Sequence, residues 1–340
     1  MEGNYFLEIF LETLRASGWV ALDFRYWRIR ELKKNRSKCA IIQLHWPESY
    51  WRNRSSIKSL LKALHFIGVH TISKHYNFKW MFIAHNVIPH FQAYHPRIER
   101  MMRHYILSTF DCIVALAKNT RTDLIEQYNT CGKWLVQARH ATYDGYYAPD
   151  LTRKELRMHY GISEDTVVLW LKGSTGRENQ GTDAFVRAWS ENNSPLKNKI
   201  VLLYTHRNDN LPDLTNADKS IFTVKGYISD NDMANFAIMS DYLLFNYGSI
   251  TTSGMFYFAL TMNLCVIAPN IPFFAMNSSE DISIIYDNKG DEMTSIQNIL
   301  KYIESGWHCD RVMHTKMRDQ HKAKKSYQPV INAMGILNEE

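Results

Sequence analysis

Cysteine is scarce and scattered. Five residues (Cys39, Cys112, Cys131, Cys265 and Cys309) are spread over 340 positions with no CxxC pair. Cysteine zinc sites use closely spaced ligands, so this set argues against one and reads as free thiols in a reducing cytoplasm. Long apolar runs are missing as well, and nothing approaches the roughly 18 residues needed to cross a bilayer. The opening "MEGNYFLEIFLETLRASGW" carries glutamates in an amphipathic helical pattern, unlike a signal peptide. No short-period repeat or low-complexity segment occurs, and no stretch matches the GxGxxG or Walker phosphate loops. Signatures of helix-turn-helix, RRM and KH modules are absent too, so nucleic acid is not an expected partner. What is left, 45% hydrophobic and 22% charged, is the composition of an ordinary globular protein long enough for two domains.

Against these absences stands a regular alternation. Helical spacing over residues 5–17 leads to the strand candidate "GWVALDF". The short apolar runs "CAIIQLHW", "FKWMFIAHN" and "CIVALA" then alternate with helical stretches at 57–68, at 96–108 and from Thr120. After His140 the pattern starts again with "TVVLWLKG", a helix at 182–190, "KIVLLYTH", "SIFTVKGY", the helix "DNDMANFAIMS", "DYLLFNY" and, past a further helix, "CVIAP". Strands apolar on both faces and separated by helices belong to parallel sheets covered on both sides. The expected fold is therefore α/β, with two Rossmann-like parallel-sheet domains facing a cleft. Their bounds fall at 1–140 and 141–315, with a helical tail over 316–340.

Charge divides along the same line. Residues 1–150 hold 21 Lys/Arg and 12 Asp/Glu, a net of +9, leaving 19 and 22, a net of −3, for the remainder. A basic, aromatic-rich first half suits an anionic surface, but a solvated face explains it at least as well.

Ligands of parallel sheets bind outside the carboxyl ends of the strands, so the residues that end the strands are the candidates. In the first half these are His45, Trp46 and Glu48, then His85 and Asn86, with His90 just beyond. Carboxylates and imidazoles gathered at strand ends can serve as a general base, although a single histidine is more often structural. In the second half "LKGSTGRENQG" carries Gly173 and Arg177, a loop in which backbone amides and a guanidinium could hold phosphate. The segment "YGSITTSGMFYFALTMNLCVIAP" places Thr252, Ser253 and Gly254 at the start of an apolar helix, where free amides attract anions. A cap needs one such residue, and here three hydroxyls precede a glycine. "SDND" (residues 229–232) directly precedes a helix and reads as its cap, so no metal ligand is assigned.

Taken together these stretches resemble the GT-B-fold glycosyltransferases, particularly family-4-like enzymes of bacterial polysaccharide assembly. "IIQLHWPE" resembles their His-Trp-Pro strand end, and "WMFIAHNVIPH" their Trp-x-x-x-x-His-Asn-x-x-Pro-His segment. "RHATYDGYY", with His140 and Tyr143, is similar to their interdomain element, and the Thr-Ser-Gly helix start to their donor segment. Ile250 and Phe258 stand where that family commonly carries two glutamates, so the ribose and donor-sugar contacts of those glutamates are absent.

The resemblance implies a metal-independent hexosyltransferase that uses a nucleoside diphosphate sugar as substrate and needs no cofactor. The acceptor would be a glycan or lipid-linked oligosaccharide, in a cytoplasmic protein whose basic half admits peripheral contact with the anionic inner face of the plasma membrane. Glu48, His85 and His90 are the candidate bases. Gly173, Arg177, Thr252, Ser253 and Gly254 are the donor and phosphate contacts, and His45, Trp46, Asn86, His140 and Tyr143 line the acceptor side. A catalytically silent protein of the same fold, binding a glycan or nucleotide sugar, is the rival reading. Arg177 supplies the first test. Its charge-assisted contact is worth about 1.5–3 kcal/mol, so Arg177→Ala is expected to weaken nucleoside diphosphate binding roughly tenfold to over a hundredfold. Unchanged affinity by calorimetry in a folded variant refutes the assignment.

Overall fold

The computed structural model describes residues 4–22, 28–37, 40–87, 94–128, 130, 132–173, 182–206 and 218–339. His90 and Arg177 lie outside them. The chain divides into two units, Met1–Ala141 with Ala323–Glu340, and Thr142–Lys322.

The first unit contains α1 (Tyr5–Ala16), α2 (Ile29–Asn35), β1 (Ile41–His45), α3 (Glu48–Trp51), α4 (Ser56–Lys74) and β2 (Lys79–Ala84). It continues with α5 (Pro96–Thr109), β3 (Cys112–Ala115), α6 (Lys118–Tyr128) and β4 (Leu135–Gln137). The four strands pair in parallel in the order β1-β2-β3-β4. In β2 Trp80, Met81, Phe82, Ile83 and Ala84 are all buried, as a strand covered on both faces requires. One cover is the inward face of α4, where Ala63, Phe66 and Val69 join Trp80 and Phe110 in the core. Another comes from the end of the chain, because the last helix, Ala323–Glu339, packs against α1 and sets Tyr327 4.9 Å from Phe10, ring to ring.

The second unit holds α7 (Arg153–His159), β5 (Val167–Lys172), α8 (Thr182–Glu191), β6 (Ile200–His206), β7 (Ile221–Lys225), α9 (Asp230–Met239) and β8 (Tyr242–Leu244). After these come α10 (Gly254–Thr261), β9 (Cys265–Pro269), α11 (Pro272–Asn277), β10 (Ser283–Tyr286), α12 (Glu292–Glu304) and α13 (Arg311–Gln320). All six strands are parallel, in the order β10-β9-β8-β5-β6-β7. Asp241 binds this sheet to its helices. One carboxylate oxygen accepts from the Val168 amide at 2.8 Å and from the buried Arg157 at 2.8 Å, the other from Arg153 at 2.6 Å. Arg157 spends its remaining donors on the carbonyls of Met239, Ser163, Glu164 and Thr166, so a charge with no exposure is fully hydrogen-bonded. The two parallel-sheet α/β domains are those expected from the alternation.

Three details depart from the sequence reading. Residues 18–22 of "GWVALDF" form no strand. Gly18, at φ +87°, donates to Arg15 and closes α1, and Trp19 donates back to Leu14. Two strands, β4 and β10, were not expected; β4 is half-buried throughout, unlike the equally short β8, and so shows no buried apolar run. The cysteines are not all free. Cys265, which opens β9, and Cys309, just before α13, form a disulfide, while Cys112 is a buried thiol. Their separation of 44 residues hid the pair, which the path through β10 and α12 brings to a Cα–Cα distance of 5.7 Å.

Candidate functional site

The end of β1 and the end of β2 meet by register. His45 stands opposite Ile83 in the parallel ladder, so the chain reaches His85 only two residues later, at the same edge. His45 Nδ1 and His85 Nε2 lie 3.0 Å apart, a distance at which one ring donates to the other. Trp46 takes φ +47°, a left-handed conformation that costs a bulky residue energy. The turn lays its indole on the His85 ring at a centroid distance of 4.0 Å. Phe6 from α1 closes the other side, 4.5 Å from His85 and 5.0 Å from His140. Asn86 is buried beside this cluster and its Oδ1 has no hydrogen-bond partner among the described residues. Although His45 as a residue keeps some exposure, its ring is walled in by Phe6, Phe10, Trp46 and His85. Burial pushes its pKa down to about 3, so it is neutral at pH 7.

Glu48 stands apart from the histidines in its bonding. It opens α3, is buried, and lies 3.8 Å from the guanidinium of Arg103, itself buried and set over the Phe82 ring. Desolvation lowers the Arg103 pKa and the Glu48 charge opposes that shift. The Glu48 carboxylate is thus turned toward Arg103 and not toward the histidine pair.

In the second unit β5 is flanked by β8 on one side and β6 on the other, the topological switch point where ligands of such sheets bind. Gly173 follows β5, but its amide donates to Thr205 at 2.7 Å instead of pointing at a ligand. A Cβ there would crowd β6, meeting His206 Cβ at 3.1 Å and the Thr205 carbonyl at 3.2 Å. The segment after β8 is different. Ser253 is the N-cap of α10 in extended backbone, 3% exposed, and its side chain makes no capping bond. Thr252 Oγ1 is buried with no hydrogen-bond partner among the described residues. The capping explanation therefore does not account for these hydroxyls, whereas Ser229 and Asp232 of "SDND" do form a capping box on α9. Gly254 is bare because Tyr143 stands against it; a Cβ would lie 2.8 Å from the Tyr143 hydroxyl. That phenol is buried, its pKa is raised by desolvation, and its amide is held by Thr261 of α10 at 2.9 Å.

Of the strand-end cluster expected from the sequence, His45, Trp46, His85 and Asn86 come together, with His140 joined through Phe6; Glu48 turns to Arg103, and His90 lies outside the described residues. Sequence reasoning assigned Tyr143 to the acceptor side, but the residue packs on the α10 start with Gly254 in the second unit. It missed Phe6, Phe10 and Tyr327, whose helical spacing marks them as inward-facing without saying what they face.

The architecture is the GT-B fold, the two-domain arrangement of parallel α/β sheets found in nucleotide-sugar glycosyltransferases. Sucrose-phosphate synthase from Thermosynechococcus elongatus superposes with a TM-score of 0.63 at 14% identity, over 92% of this chain and 76% of that one. HepE from Anabaena in complex with UDP gives 0.63 at 9%, over 90% and 81%. WaaG, a glycosyltransferase involved in lipopolysaccharide biosynthesis, gives 0.60 at 12%, over 98% and 96%. At such identities the likeness is one of fold. No protein-family model and no curated protein sequence matches the chain.

The buried imidazole has a consequence for stability. Between its unfolded value of 6.5 and about 3, the unfolded chain binds a proton that folded His45 refuses. Stability is therefore present above pH 6.5 and lost as pH falls through that window, at up to about 1.4 kcal/mol per pH unit. His45→Gln is expected to flatten this loss in urea titrations between pH 7 and pH 4. An unchanged pH slope in the variant shows that the ring is not excluded from protons.

Proposed function

We propose that this protein is a metal-independent glycosyltransferase that moves a hexosyl group from a nucleoside diphosphate sugar to a glycan or lipid-linked oligosaccharide acceptor. The single observation behind the reading is the start of α10. Two hydroxyl residues, one of them with a buried oxygen unpartnered among the described residues, stand at a helix N-terminus without a side-chain cap at the switch point of the second sheet. Such a terminus favours a diphosphate, and the departing diphosphate gains charge in the transition state of glycosyl transfer. Arg177, which follows β5 in the sequence, is proposed to add a cation to the same phosphates. UDP is the first nucleotide to try, because HepE has been crystallised with UDP and with UDP-glucose.

The first unit is proposed to hold the acceptor. His85 is the preferred base of the three candidates, since Glu48 faces Arg103 and a neutral His45 can orient the His85 ring by accepting or donating at 3.0 Å. His90 is retained as a candidate on its sequence position. We place the protein in polysaccharide assembly at the cytoplasmic face of the plasma membrane, as a peripheral protein; no described helix is long and apolar enough to cross a membrane. The Cys265–Cys309 bond pulls against a reducing compartment, and thiol alkylation in intact cells decides that point.

A silent binder of the same fold is the second reading, favoured by Phe258. It occupies a position where a glutamate would face a donor sugar, and it is packed against Trp170 and Tyr147 in the core. Incubation with UDP-, GDP-, ADP- and TDP-sugars separates the two. Transferase activity requires that one of them be turned over, and that His85→Ala lower kcat by about 10²–10⁴-fold with nucleotide affinity retained. Nucleotide binding without any turnover supports the silent reading, and full turnover by folded His85→Ala moves the base elsewhere.

A further inference from the structure

Helix α4 is apolar on two opposite faces. Its inward face, with Ala63, Phe66 and Val69, is part of the first unit's core. On the outward side Ile57, Leu60, Leu61 and Leu64 stand in solvent, Ile57 70% and Leu61 61% exposed. At about 100° per residue these four fall within an arc of roughly 100°, spaced i, i+3, i+4 and i+7. Single exposed leucines are ordinary, but four on one helix face form a patch that calls for an explanation.

Cations frame the patch. Lys58 and Lys62 are exposed on the same helix, Arg54 precedes it, and residues 52–74 contain no Asp or Glu. Helix α2 packs against α4 and brings exposed Arg30, Lys33 and Lys34, with Glu31 the one acid over residues 28–37.

We propose that the outer face of α4 is where this protein rests on an anionic lipid bilayer, with the leucines entering the interface and Lys58 and Lys62 meeting headgroup phosphates. An apolar stripe with lysines along its side is the pattern of a helix that lies in the interface plane. A second copy of the chain would also cover the leucines. A two-fold contact, however, would set one basic, acid-poor flank against another, whereas an anionic surface neutralises it. The inference rests on the peripheral-membrane part of the reading above and is independent of sugar transfer.

The test is co-sedimentation of the full chain with phosphatidylcholine vesicles, with and without phosphatidylglycerol. Binding is expected to rise with phosphatidylglycerol and fall with salt. Leu60→Gln/Leu61→Gln/Leu64→Gln should reduce partitioning by about tenfold or more, because about three buried side chains are lost from the interface. Lys58→Glu/Lys62→Glu, at exposed positions that leave the core untouched, should reduce binding to the anionic vesicles and reads the same surface if the leucine variant folds poorly. Vesicle binding that neither variant weakens overturns the proposal, as does binding indifferent to lipid charge. A leucine variant that turns a sedimenting dimer into a monomer overturns it in favour of a second copy. Vesicle binding as described with no turnover of any nucleotide sugar sinks the transferase reading alone; turnover without vesicle binding sinks this surface alone.

Discussion

The placement of β5 between β8 and β6 constrains everything the second unit can do. Because hydrogen-bond ladders occupy both of its edges, the loops leaving β5 and β8 begin side by side at the carboxyl end of the sheet. Asp241 sets this arrangement by accepting from the Val168 amide while neutralising Arg157 and Arg153. Once the sheet is fixed, the segment after β8 has little freedom. Tyr143 fills the space beside Gly254, and Thr261 holds the Tyr143 amide, so the start of α10 is braced from behind. Among the described residues, Thr252 Oγ1 is then buried without a hydrogen-bond partner and Ser253 makes no capping bond.

The same logic operates in the first unit with different chemistry. Parallel register brings His45 and His85 together at the ends of neighbouring strands, and the strained Trp46 turn keeps an indole on one of them. Enclosure by Phe6 and Phe10 strips water from His45 and holds it neutral. A neutral orienting imidazole next to a second imidazole is a workable way to fix a tautomer. The buried Glu48–Arg103 pair shows the contrary case, a carboxylate at a strand end whose charge is already committed.

The strands that carry these residues were legible because each reads as an unbroken apolar run, and a run such as "FKWMFIA" has few alternatives to a strand buried on both faces. What escaped was short or non-local. β4 is half-buried along its length and offers no buried apolar run, unlike the equally short β8. "GWVALDF" looked like a strand because its apolar residues cluster, but Gly18 spends its positive φ on ending α1. The Cys265–Cys309 bond depends on contacts across 44 residues. The packing around two of the glycines was not legible. A Cβ would crowd His206 and Thr205 at Gly173 and the Tyr143 hydroxyl at Gly254, which only the packed structure reveals.

The central claim is that a nucleoside diphosphate sits on the start of α10 at the switch point of the second sheet. A crystal structure of the chain soaked with UDP tests it most directly. The diphosphate is expected against the amides of Ser253 and Gly254, with the Thr252 and Ser253 hydroxyls within hydrogen-bond distance of its oxygens. UDP bound in the first unit, or at the second sheet with those hydroxyls unengaged, would contradict the account.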